Sequence, residues 1–108
     1  MTPKEFTEKC LSTAIYPYAD TGQKIEFMYL GLGAASEAGE VAGKISKYHR
    51  DGYMDPDALI KECGDTLYFL SLILRACNCT FEECFDILIN KLEDRKERNV
   101  LSGSGDNR

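Results

Sequence analysis

The chain has no tryptophan, a single histidine (His49) and no Cys-x-x-Cys pair among its 108 residues. A zinc site with the usual ligand spacing is therefore not expected. Basic residues are the minority, with 13 Lys and Arg against 18 Asp and Glu and a net charge of -5. This balance argues against a nucleic-acid-binding protein, because that function needs a basic face. The longest apolar stretch, Leu67 to Leu74 with Ser71 inside it, is far shorter than a membrane span.

The five cysteines are odd in number, and no secretory signal precedes them. We therefore expect reduced thiols and a cytoplasmic protein. The length is that of one domain, and 44% hydrophobic residues are enough to form a core.

Helix signals dominate the chain, and no segment shows the alternation of a half-buried β-strand. Thr2-Pro3 and Asp55-Pro56 each combine a capping residue with proline at the first helical position, and Thr80-Phe81-Glu82-Glu83 forms a capping box. With the loop and turn residues between them, these signals predict helices over about 3–15, 23–49, 56–76 and 81–99. The predicted fold is all-α: a four-helix bundle-like subunit, with one domain over residues 1–101 and a polar tail over 102–108.

The last two predicted helices carry extensive apolar surface. The stretch from Leu67 to Leu74 is apolar on every side of a helix, so it must be covered on every side, which favours an oligomer. In the fourth helix we expect one buried stripe, formed by Phe81, Cys84, Phe85, Leu88 and Leu92.

Two pairs of carboxylates lie on the second and third predicted helices. Glu37 and Glu40 are three residues apart, as are Glu62 and Asp65, so each pair shares one helix face. A single pair of this kind is usually solvated surface, but both pairs border apolar seams. Four carboxylates without a basic residue among them repel one another unless cations neutralise them. Mg²⁺ is the ion best suited to such oxygen ligands, with Mn²⁺ as a substitute.

Lys91 and Arg95 lie one turn apart beside the apolar stripe of the fourth helix. Charged groups that border a core need a partner. That partner is either an acid such as Glu62 or Glu93, which would make the pair structural, or a ligand.

Three segments resemble the MazG-like nucleoside triphosphate pyrophosphohydrolases, above all the small single-domain members of phages and bacteria. These segments are GLGAASEAGEVAGKISKYHRDG, KECGDTLYFLSLIL and INKLEDRKERNVLSGSGDNR, which together cover most of the chain from about Leu30. The metal motif of the family is EExxE, a spacer and ExxD. Its matches are Glu37, Glu40, Glu62 and Asp65. Ser36 replaces the first glutamate of the motif, and Leu88 stands where the family often has asparagine.

The resemblance implies an all-α enzyme, a homodimer or homotetramer, that hydrolyses (deoxy)nucleoside triphosphates to the monophosphate and pyrophosphate. The four carboxylates would hold Mg²⁺ and perform the catalysis by neutralising phosphate charge and activating a water. Lys91 and Arg95 match the family's KLxxR positions and would bind the substrate phosphates, with Lys44 and Lys47 as weaker candidates. The role would be control of the nucleotide pool or removal of damaged nucleotides.

Three alternatives remain open. One is a non-catalytic helical module that binds nucleotide or a protein partner. Another is a pyrophosphohydrolase of alarmone nucleotides, which would use the same metal site. The third is a di-iron bundle, which is disfavoured because such sites use Glu-x-x-His and His49 lies away from the carboxylates.

Overall fold

The structure is a computed structural model that describes all residues, 1–108. It contains four α-helices and no strand: α1 (Pro3–Ser12), α2 (Lys24–Asp51), α3 (Pro56–Ala76) and α4 (Phe81–Glu97). The predicted all-α fold is confirmed. None of the four helices combines the length and the hydrophobicity that a bilayer crossing requires.

Side-chain caps set the starts of three helices. Thr2, Asp55 and Thr80 each accept a hydrogen bond from a backbone N–H two or three residues further on. These caps satisfy N–H groups that have no partner inside the helix. α1, α3 and α4 consequently begin where the sequence signals place them.

Two helices end earlier than predicted. α1 ends at Ser12 rather than near Ile15, because the Thr13 hydroxyl donates to the Cys10 carbonyl at 2.9 Å and competes with the helical hydrogen bond. α4 ends at Glu97 rather than near Asn99. Asn99 has a φ of 57°, a left-handed conformation that terminates a helix.

The core lies where α1, α2 and α3 meet. α2 and α3 pack against each other along much of their length, and α1 lies against α3. The chain turns back between α2 and α3 through a short connection at Gly52, whose φ of 74° suits glycine. Cys10, Leu30 and Leu72, one from each of these helices, form the fully buried cluster.

The fourth helix is attached only loosely. It has few contacts with α1 and α3 and none with α2. The radius of gyration is 16.5 Å, whereas a compact domain of this length has about 13 Å. The stripe expected along α4 is therefore only partly buried in the single chain: Phe81 and Cys84 are half-buried, whereas Phe85 and Leu88 are 47% and 46% exposed.

Candidate metal centre

The close approach of α2 and α3 depends on a small residue in α2. Gly33 faces the ring of Phe69, and a Cβ atom there would lie within 2.6 Å of three ring carbons. The ring also packs against Tyr29 and Tyr68, with centroid distances of 6.2 and 5.2 Å. This contact holds the two helices in a register that places the segment after Gly33 opposite the segment before Phe69.

That register brings three carboxylates together. Oxygen atoms of Glu37, Glu62 and Asp65 all lie within 4.8 Å of one another. Glu37 is one turn after Gly33, and Asp65 is one turn before Phe69, so the two helices face each other with acidic groups on both sides. Three of the four carboxylates predicted from the i, i+3 spacing therefore share one site.

Glu40, the fourth predicted carboxylate, is exposed and lies outside this group of three. It is close enough to act on the same site electrostatically. Desolvation raises the pKa of Glu37, and the negative charges of Asp65, Glu62 and Glu40 raise it further.

The cluster suits a hard divalent cation. It offers only carboxylate oxygens, the ligands that Mg²⁺, Mn²⁺ and Ca²⁺ prefer. None of its members forms an ion pair with a lysine or arginine of the chain. It contains no histidine, so it lacks the ligands typical of a di-iron bundle. A bound cation would relieve the mutual repulsion that raises the pKa of Glu37.

Lys44 and Lys47 follow Glu40 on α2, and neither is paired with a carboxylate of the cluster. Lys44 is half-buried and Lys47 is exposed. Lys47 lies near Asp51: the pKa of Asp51 is lowered chiefly by a hydrogen bond from Arg50 and also by the charge of Lys47.

Lys91 and Arg95 lie on α4, which does not contact α2, so within one chain they are not assembled with the carboxylate cluster. Both instead bind Asp106 near the C-terminus. Lys91 Nζ is 2.9 Å and Arg95 Nη2 is 3.3 Å from the same oxygen, Oδ1 of Asp106. The hydrogen bond from Lys91 is the main reason why the pKa of Asp106 is lowered.

A buried carboxylate outside the cluster organises the loop that precedes α2. Glu26 is only 2% exposed. It accepts hydrogen bonds from the Tyr16 hydroxyl and from the backbone N–H groups of Asp20 and Gly22. Tyr16 in turn stacks on Tyr29, with ring centroids 4.5 Å apart. Sequence reasoning did not identify Glu26, because a lone glutamate in the first turn of a helix normally indicates only a favourable helix-dipole interaction.

Gly33 and Asp106 were also missed. A glycine inside a helix costs about 1 kcal/mol relative to alanine, which could have indicated a packing role for Gly33. Nothing in the sequence indicates that Asp106 folds back onto α4.

Comparisons with known proteins identify the family of the chain. The MazG nucleotide pyrophosphohydrolase domain matches residues 27–100, which include the whole carboxylate cluster. The chain is 37% identical over 102 residues to the Gene 37 protein of Mycobacterium phage L5, covering 89% of this chain and 90% of the phage protein. No solved structure matches the chain. The carboxylate cluster, the all-α fold and these matches lead to one conclusion: the chain belongs to the MazG nucleotide pyrophosphohydrolase domain family.

Proposed function

We propose that this protein hydrolyses (deoxy)nucleoside triphosphates, in a Mg²⁺-dependent reaction, to the nucleoside monophosphate and pyrophosphate. The observation that carries the proposal is the convergence of Glu37, Glu62 and Asp65 within 4.8 Å inside the matched family domain. Such a site is suited to cytoplasmic nucleotides, whose triphosphates are accompanied by divalent cations.

Glu37, Glu62 and Asp65 would hold the ion, with Glu40 as a further ligand beside them. When bound, Mg²⁺ supplies the positive charge that neutralises phosphate oxygens in phosphoryl transfer. One carboxylate of the site accepts the proton of the attacking water. The water oxygen forms a bond to the α-phosphorus, the bond from that phosphorus to the bridging oxygen breaks, and pyrophosphate leaves with the electron pair.

Lys91 and Arg95 would bind the outer phosphates, with Lys44 and Lys47 as weaker candidates. For Lys91 and Arg95, this role requires α4 to meet a carboxylate cluster that it does not reach within its own chain. The exposed apolar side chains of α3 and α4, such as Leu67 (46%) and Phe85 (47%), support assembly into a homodimer or homotetramer. In such an assembly α4 of one copy would lie beside α2 and α3 of another.

A panel of canonical and modified NTPs and dNTPs, extended to an alarmone nucleotide, tests the proposal. Chromatography would score the monophosphate and pyrophosphate formed with Mg²⁺, with and without chelator. We expect Glu62→Gln to lower kcat at least about tenfold, since it removes one charge from the ion site and loss of a group that merely supports a metal ligand already costs about 10–100-fold. Glu93→Gln, an exposed glutamate of α4, is the matched control and should keep full activity.

Failure would take one of two recognisable forms. Equal turnover in Glu62→Gln and the wild type would contradict the assigned site. The second form is that the wild type binds Mg²⁺ and Glu62→Gln does not, yet no nucleotide of the panel reacts. The hydrolase proposal would then fail, and the protein would be interpreted as a nucleotide-binding module.

A further inference from the structure

The last residues of the chain fold back onto α4. We call this segment, Val100–Arg108, the C-terminal strap. Its anchor is Asp106. Arg95 Nη2 donates to the main-chain carbonyl of Asp106 at 2.5 Å and to its carboxylate at 3.3 Å, and Lys91 Nζ donates to the same carboxylate oxygen at 2.9 Å. The strap thus places one carboxylate on both cations that would bind phosphate.

The strap has a defined conformation of its own. Arg98 donates to the carbonyl of Arg108 at 2.6 Å, and Arg108 donates to the carbonyls of Leu101 and Gly105. Gly105 has a φ of 86°, a conformation that glycine adopts without steric strain. These contacts hold Asp106 in place.

The two sides of this contact differ in their exposure. The Arg95 side chain is 7% exposed, whereas the Asp106 side chain is 77% exposed. The cation is therefore buried where Asp106 of the strap binds it, while the carboxylate itself faces solvent, where another anion could take its place. Oδ1 of Asp106 lies within 3.3 Å of nitrogen atoms of both Lys91 and Arg95, the arrangement that a phosphate oxygen would adopt between them.

We propose that the C-terminal strap is an internal competitor of the substrate, in which the Asp106 carboxylate occupies the phosphate-binding cations Lys91 and Arg95 until a phosphate group displaces it. This inference rests on the proposed function, since it takes these two residues to bind phosphate. It makes the strap an autoinhibitory contact: phosphate binding opens it, and its release uncovers Arg95.

Binding of inorganic pyrophosphate to the full chain tests the competition. Isothermal titration calorimetry would be done with chelator present, so that ion-mediated binding at the carboxylate cluster does not contribute. Asp106→Asn keeps the size of the side chain and removes its charge. We expect it to bind pyrophosphate about three- to tenfold more tightly than the wild type, the effect of removing one unit charge a few ångströms from the ligand in a largely solvated site.

Two further variants make the outcome decisive. Asp86→Asn removes the same single charge from the chain, but at an exposed residue of α4 without a side-chain partner, and it should leave the affinity unchanged. Lys91→Ala should weaken binding at least about tenfold. If Lys91→Ala weakens binding and Asp106→Asn does not tighten it, the strap does not compete, and the phosphate role of Lys91 stands. If Lys91→Ala binds pyrophosphate normally, the phosphate role fails, and the competition fails with it.

A measurement on the wild type does not depend on any variant. ¹⁵N order parameters of Gly103 and Gly105 should fall when pyrophosphate saturates the protein, because the strap loses its anchor. Order parameters that stay constant or rise at saturation would overturn the inference.

Discussion

Replacing Gly33 by alanine tests whether the carboxylate cluster depends on the close approach of α2 and α3. A Cβ atom at this position would lie 2.5 Å from Cζ and 2.6 Å from Cδ1 of Phe69. Carbon atoms in favourable contact are about 3.5–4.0 Å apart, and Cε1 lies closer still, so the ring would have to move by more than about 1 Å. Tyr29 and Tyr68 pack against this ring and oppose the movement.

The magnitude follows from two opposing effects. Overpacking of this kind costs about 1–3 kcal/mol, whereas alanine is favoured over glycine in a helix by up to about 1 kcal/mol. Gly31→Ala is the matched control, because a Cβ atom at Gly31 meets nothing within 4 Å. We expect the free energy of unfolding of Gly33→Ala to lie about 1–3 kcal/mol below that of Gly31→Ala. Urea denaturation followed by circular dichroism, at one fixed protein concentration, measures the difference.

The same substitution should weaken metal binding. Gly33 lies one turn before Glu37, and Phe69 lies one turn after Asp65, so spreading the helices at this contact widens the 4.8 Å cluster. Titration with Mn²⁺ should show lower affinity in Gly33→Ala and unchanged affinity in Gly31→Ala. Adding Phe69→Leu to Gly33→Ala should restore much of the affinity, since the smaller side chain makes room. Equal stability of the two alanine variants, or equal affinity for the ion, would refute the reasoning.

Two other predictions concern the loop before α2 and the exposed helix surfaces. Tyr16→Phe should cost about 1–3 kcal/mol because it removes one donor from the buried carboxylate of Glu26, whereas Tyr18→Phe, at a tyrosine that is 51% exposed, should be neutral in the same denaturation assay. Burial raises the pKa of Tyr16, and the hydrogen bond to Glu26 raises it further. The contribution of Tyr16 to the free energy of unfolding should therefore be complete below about pH 10 and decline as the pH rises further. An equal loss of stability at alkaline pH in the wild type and in Tyr16→Phe would contradict this. Leu67→Glu should shift the proposed oligomer towards monomer in light-scattering measurements, whereas Ile15→Glu, at a residue that is 94% exposed, should not; a monomeric wild type, or an unchanged mass for Leu67→Glu, would contradict the assembly.

Features that arise from local chemistry could be predicted from the sequence. Thr2, Asp55 and Thr80 cap the helices at which they were expected, since a cap depends on residues within one turn. The i, i+3 spacing of Glu62 and Asp65 likewise placed both on one face of α3, where the structure finds them beside Glu37.

Features that depend on distant parts of the chain could not be predicted. The apolar pattern of α4 identified a face to be buried but not which element would bury it, and in the single chain Leu88 remains 46% exposed. The partner of Lys91 and Arg95 is Asp106, which lies eleven residues beyond Arg95 in a polar tail without helical or strand periodicity. The position of such a residue depends on how the whole segment folds.

The acidic and basic groups of the candidate site differ in how firmly the fold holds them. The carboxylates lie on α2 and α3, which pack against each other along much of their length, so their spacing is set by a rigid contact at Gly33. Lys91 and Arg95 lie on α4, which has few contacts with the rest of the chain. Rigid carboxylates suit the strict coordination geometry of Mg²⁺, whereas phosphate-binding cations on a separate element can approach a substrate after it has bound. In the proposed assembly this difference would let the cluster bind the ion first, while Asp106 keeps the cations paired until the phosphates arrive.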